Sequence, residues 1–170
     1  MIEHLESSPK FNISSYKSNQ QIFVLWAPQF ESAPASIFVA KLRELGLRVK
    51  VVSLSVRKMP GKNGVAIYYD MTLGEALTMT NSTSGVIVPC GLMGAQRLRN
   101  DPRAYRFFKE VSANKVPIII GYMEKSHLER LRLFPLDTID DLIMYPEIED
   151  LMEFINHLAT SFWIRPKNEI

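Results

Sequence analysis

Cys90 is the only cysteine of the chain and stands in Cys90-Gly91-Leu92-Met93-Gly94-Ala95-Gln96, after an apolar run and ahead of a helical one. A loop that leaves a strand and opens a helix presents free backbone amides, which suit an anion or an oxyanion. Its two glycines lack the spacing of either common phosphate loop and serve a tight strand-to-helix connection equally well. Cys90 fits two uses: a thiol made reactive where a helix terminus lowers its pKa, or a small apolar residue packed in a core. Glu31, in Phe30-Glu31-Ser32 after another apolar run, has the chemistry of an acid, a base or an orienting group. It has equally that of a charge favoured at a helix start. His4, His127 and His157 fall in an N-terminal extension and in two helices, the ordinary setting of a solvated histidine.

The elements that must position these groups alternate in type. Ile22 to Ala27 reads as a strand that ends at Pro28, which has no N–H for a continuing ladder. Ala35 to Leu45 follows as a helix with an apolar stripe at three- and four-residue spacing, closed by Gly46. Arg48 to Leu54 and Val65 to Tyr69 are predicted strands on either side of the turn Pro60-Gly61-Lys62-Asn63-Gly64. Thr72 to Met79 is a short helix, with Thr72 and Glu75 spaced as a capping box. Then come a buried strand at Gly85 to Pro89, a helix opened by Asp101-Pro102, and a strand at Val116 to Tyr122 with a sharp turn at Gly121. A helix at Lys125 to Leu133, a strand at Leu142 to Tyr145 and a helix at Glu147 to Thr160 complete the domain. This order predicts an α/β fold, a doubly wound and mostly parallel sheet with helices on both faces. Ligands of such sheets sit beyond the carboxyl ends of the strands. The predicted ligand-binding residues are therefore Glu31, Cys90, Gly91, Met93, Gly94, Gly121 and Tyr122.

Composition narrows the function classes. The 170 residues suit one domain, predicted over 22–161, between an extension over 1–21 and a tail over 162–170. Phe162-Trp163-Ile164 in that tail either cover their own domain or offer an apolar contact. Hydrophobic residues at 46% and charged ones at 22% are globular values, and a formal charge of +2 implies neither a nucleic-acid nor a lipid surface. Arg97, Arg99, Arg103, Arg106 and Lys109 read as a solvated helix face, since only Tyr105 and core-bound phenylalanines accompany them. One cysteine excludes an internal disulfide and a Cys/His zinc cage, and Glu147, Glu149, Asp150 and Glu153 show no metal spacing. No metal or cofactor is expected. With no apolar run of membrane-spanning length and an acidic start to the chain, the expected location is the cytoplasm.

Gly64-Val65-Ala66-Ile67-Tyr68-Tyr69-Asp70, Leu73-Gly74-Glu75-Ala76-Leu77 and Gly85-Val86-Ile87-Val88-Pro89-Cys90-Gly91 with Gly94-Ala95-Gln96 resemble the ThiJ/PfpI family of the class I glutamine amidotransferase-like superfamily. The likeness runs from Ile22 to Tyr122 and implies a flavodoxin-like three-layer sandwich. It also implies a cysteine on a nucleophile elbow, a glutamate after the first strand that stabilises the thiolate, and a Pro-Gly-Gly oxyanion loop. Aligned without gaps, the elbow cysteine falls on Gly121, the glutamate on Pro34, and the loop reads Pro89-Cys90-Gly91. With both functional positions vacant, the resemblance points to a catalytically degenerate member that binds a protein partner or a small ligand. Alternatives are a thiol-dependent hydrolase, a glyoxalase-like enzyme or a redox sensor using Cys90 with Glu31. The stretch between Tyr122 and Ile143 is too short for the family's additional strands and histidine, which leaves a pseudo-receiver-like interaction module as a third reading. By analogy with the family, a homodimer is expected.

Overall fold

A computed structural model of the chain describes residues 11–12 and 20–166. His4 and most of the predicted extension lie outside the described residues. The elements in order are β1 Phe11–Asn12, β2 Gln21–Trp26, α1 Ser32–Glu44, β3 Val49–Ser53, β4 Met71–Thr72, α2 Leu73–Leu77 and β5 Thr83–Val88. They continue as α3 Leu92–Arg99, α4 Pro102–Ala113, β6 Ile118–Ile120, α5 Lys125–Leu131, β7 Ile143–Met144, α6 Ile148–Phe162 and β8 Arg165–Pro166. Six strands form a parallel sheet in the order β4-β3-β2-β5-β6-β7, while β1 and β8 pair antiparallel as a separate ribbon.

Strand side chains point alternately to two faces, and the two halves of the core follow that period. Ile22, Val24, Ile87 and Ile119 pack with Phe38 and Leu42 of α1 and with Leu151, Ile155 and Leu158 of α6. Phe23, Leu25, Val86, Val88, Ile118 and Ile120 face the opposite layer, where α3, α4 and α5 contribute Leu98, Phe107, Phe108, Val111 and Leu128. A sheet covered on both faces explains why its strands read as unbroken apolar runs. The chain winds outward from β2 through β3 to β4, then crosses back to β5 and winds the other way. The reversal places the crevice between β2 and β5 at their carboxyl ends, just where Pro28 and Pro89 leave the sheet.

Helix α4 opens as expected, with Asp101 accepting from the Arg103 N–H at 3.0 Å and Pro102 in the first turn. The capping box is also present: Thr72 Oγ1 accepts from the Glu75 N–H, and Glu75 Oε2 accepts from the Thr72 N–H at 2.7 Å. One predicted strand is absent. Val65 to Tyr69 lies in a loop that makes an isolated bridge between Pro60 and Ala66. Competition on β3 explains it: Asp70 Oδ2 accepts the Val51 N–H at 2.7 Å, and the Asp70 N–H donates to the Val51 carbonyl at 2.8 Å. The ladder beyond β3 can therefore begin only at Met71. The loop is drawn over the sheet's carboxyl edge instead, where Trp26 Nε1–H donates to the Met59 carbonyl at 2.9 Å and the Lys62 N–H donates to that of Phe30 at 2.8 Å.

Trp163 and Ile164 take the first of the two uses read for the C-terminal aromatic stretch, covering their own domain. Helix α6 continues to Phe162, and Trp163 and Ile164, assigned to a tail, are buried in the core. Trp163 Nε1–H donates to the Ser84 carbonyl at 2.9 Å, and its ring lies against Gly85 of β5. Only Phe162 of the three is half exposed.

Candidate functional site

Five residues from four segments of the chain converge at the crevice. Glu31 is the N-cap residue of α1, with its N–H donating to the Pro89 carbonyl at 2.8 Å. Cys90 follows β5, Gly94 lies one turn into α3, Gly121 follows β6 and Tyr145 follows β7. The Tyr145 hydroxyl donates to Glu31 Oε2 at 2.9 Å, and the Gly121 N–H donates to the Cys90 carbonyl at 3.1 Å.

Each predicted thiol position is closed by this packing. A Cβ placed on Gly121 would overlap the Cys90 carbonyl oxygen, with the carbonyl carbon at 2.9 Å and the Tyr145 hydroxyl at 3.0 Å. The backbone at Gly121 has no positive φ, and residues 121–124 between β6 and α5 take no regular structure and no assigned turn. Pro34 is buried in the first turn of α1, where a missing N–H leaves no helix bond unmade. Helix α1 therefore starts at Ser32 rather than Ala35, because proline is no obstacle in that turn.

Cys90 is fully buried. A Cβ on Gly94 would overlap the Cys90 Cβ and come within 3.1 Å of its Sγ, so only glycine lets α3 sit down on the thiol. Burial first, and the charge of Glu31 second, push the Cys90 thiol far above its ordinary range. Burial and then the Glu31 charge and hydrogen bond push the Tyr145 phenol up as well. A buried thiol thus stands close to a phenol–carboxylate pair, surroundings that favour the thiol over the thiolate.

A pH dependence follows with a definite sign. For both groups the folded pKa exceeds the unfolded one, so above the unfolded pKa the native state holds a proton that the unfolded chain has lost. Stability must then fall as pH rises, from about pH 8.5 for Cys90 and about pH 10 for Tyr145, by about 1.4 kcal/mol per unit for each group. Urea denaturation between pH 8 and pH 10 should show this loss in the wild type and a smaller one in Cys90→Ala. Equal slopes for the two proteins would remove the buried thiol from the explanation.

The remaining predicted binding residues do not share one cavity with these. Glu31 borders a small cleft of about 220 Å³ together with Lys62, Asn63, Tyr145 and Glu147. Met93 opens instead into a larger cleft between α3 and α5. Gly91 is the N-cap of α3, and Tyr122 is exposed on the surface. His127 is half buried in α5 and lines the larger cleft, whereas His157 is exposed on α6. No group of three potential metal ligands occurs among the described residues. Tyr145 was the partner that residue types alone did not assign; its position just after an edge strand and before Pro146 was the available signal.

The pattern of the DJ-1/PfpI family matches residues 20–120. The chain belongs to this family. Solved structures give the same fold. Drosophila melanogaster DJ-1beta is 16% identical with a TM-score of 0.70, over 85% of this chain and 90% of that one. Oxidized Toxoplasma gondii DJ-1 is 19% identical with a TM-score of 0.66, over 84% and 90%. A two-domain protein of Anabaena variabilis, containing DJ-1/ThiJ/PfpI-like and ferritin-like domains, is 22% identical with a TM-score of 0.56, over 64% of this chain but only 31% of its own length. No curated protein matches the sequence. At 84–85% of the chain, the likeness to the two DJ-1 structures reaches beyond the stretch that the family pattern matches.

Proposed function

We propose that this DJ-1/PfpI family member is a non-catalytic cytoplasmic protein that acts by binding a small ligand or a protein partner at the carboxyl edge of its sheet. The observation that carries the reading is the space at Gly121. The position that would hold the elbow nucleophile is occupied by the Cys90 carbonyl and the Tyr145 hydroxyl. Cys90 does not replace that nucleophile, because its thiol is buried and held protonated. Among the described residues no helix is long and apolar enough to cross a membrane.

Purified protein assayed with methylglyoxal, glycated amino acids, simple amides and peptides should show no turnover above that of Cys90→Ala. Turnover of any of these that disappears in Cys90→Ala would overturn the proposal and restore the thiol-enzyme reading.

A further inference from the structure

The cleft between α3 and α5 has a volume of about 670 Å³, within the range of small-molecule sites. It is lined by Arg97 and Arg99 of α3 and Arg130 of α5, together with the amide side chains of Gln96 and Asn100. No aspartate or glutamate lines it. Other arginines of the chain are neutralised locally: Arg43 pairs with Asp70, Arg103 with Asp101 and Arg106 with Glu110. Among the described residues, none of the three cleft arginines has an acidic partner, and Arg130 Nε–H donates only to the Ser126 carbonyl of its own helix at 3.3 Å. Arg97 and Arg99 stand in the last turn of α3 and Arg130 in that of α5, where the helix dipole favours a cation, and the three leave a net positive charge along one cleft with no ion pair among the described residues.

We propose that this cleft binds a phosphate-bearing small molecule. A guanidinium presents a planar fork of N–H donors matched to the oxygens of a phosphate, and several such forks around one cavity suit a multiply charged tetrahedral group better than a single carboxylate. Gln96 and Asn100 add neutral donors and acceptors that can bond the ester or hydroxyl groups of the ligand. Leu92 and Met93 form the apolar side of the same cleft, and the exposed Met93 is a flexible surface for the body of an organic phosphate. The cleft runs along both helices, from Leu92 and Met93 in the first turn of α3 to the arginines in the last turns of α3 and α5. Gly94 seats α3 directly on Cys90, so the wall carrying Arg97 and Arg99 is rigidly placed. This site uses other residues than the closed crevice, so it stands whether or not the chain turns over a substrate.

Calorimetric titration at low salt would use inorganic pyrophosphate, adenosine monophosphate, citrate and a single-stranded oligonucleotide as probes. Pyrophosphate and adenosine monophosphate should bind, more weakly as salt is raised. The double variant Arg97→Ala/Arg130→Ala should lose at least about tenfold in affinity for them, equal to about 1.4 kcal/mol. Arg106→Ala, which removes a paired arginine outside the cleft, should leave binding unchanged. These are surface substitutions, and an unaltered circular dichroism spectrum would establish that the variants are folded. Absence of binding by either phosphate probe at about 10 mM would overturn the proposal. So would citrate binding as tightly as pyrophosphate, oligonucleotide binding alone, or equal losses in Arg106→Ala and the double variant.

Discussion

Gly121→Cys is expected to weaken the fold by about 3 kcal/mol and to leave the protein without a reactive thiol. The first side-chain atom would fall on the Cys90 carbonyl oxygen, and the Tyr145 hydroxyl stands 3.0 Å from the same point. Neither neighbour is the loose end of a flexible chain. The carbonyl accepts the Gly121 N–H, and the hydroxyl is bonded to Glu31. Relief therefore requires β6 and the Cys90 loop to separate, with loss of the bond between them. Gly121→Ala should incur most of the same loss, because the overlap arises at Cβ. Urea denaturation would measure the change, and alkylation with iodoacetamide would count accessible thiols before and after unfolding. A variant as stable as the wild type, with one thiol alkylated rapidly at neutral pH in the folded state, would show that the elbow is open.

Trp163→Ala should be at least as damaging, at about 3–5 kcal/mol. The side chain is 2% exposed, covers Gly85 of the central strand β5, and donates the hydrogen bond that satisfies the Ser84 carbonyl. Truncation leaves a cavity and takes one donor from the partly buried Ser84 carbonyl. The contact can be isolated by a second change. A Cβ on Gly85 would come within 2.5 Å of Trp163 Cζ2, so Gly85→Ala should destabilise the wild type strongly and the Trp163→Ala background much less. Effects that add in the double variant would mean that the ring does not rest on β5 as described.

These two positions mark how far the amino-acid sequence could be followed. The buried strands β2 and β5, the start of α4 at Asp101-Pro102 and the capping box at Thr72 are local signals, and each appears in the structure. The strand expected at Val65 to Tyr69 had equally good local residues, but Asp70 takes the β3 ladder group that such a strand would need. That competition depends on a tertiary approach and has no periodic signature. Trp163 looked like part of a tail because burial against Gly85 is decided 78 residues away along the chain, between Gly85 and Trp163. The vacancies at Pro34 and Gly121 were visible as residue types. Their closure was not, because the group that completes it, the Tyr145 hydroxyl, arrives from the last strand of the sheet.

The bond from Tyr145 to Glu31 joins residues 114 positions apart. Bringing its two ends together carries the loop-closure entropy of the intervening chain. The bond ties the segment just after β7 to the start of α1, so the edge of the sheet and the crevice are held by the same contact. A chain that ended before Tyr145 would lack the hydroxyl that bonds Glu31 and would leave the crevice unlatched on that side.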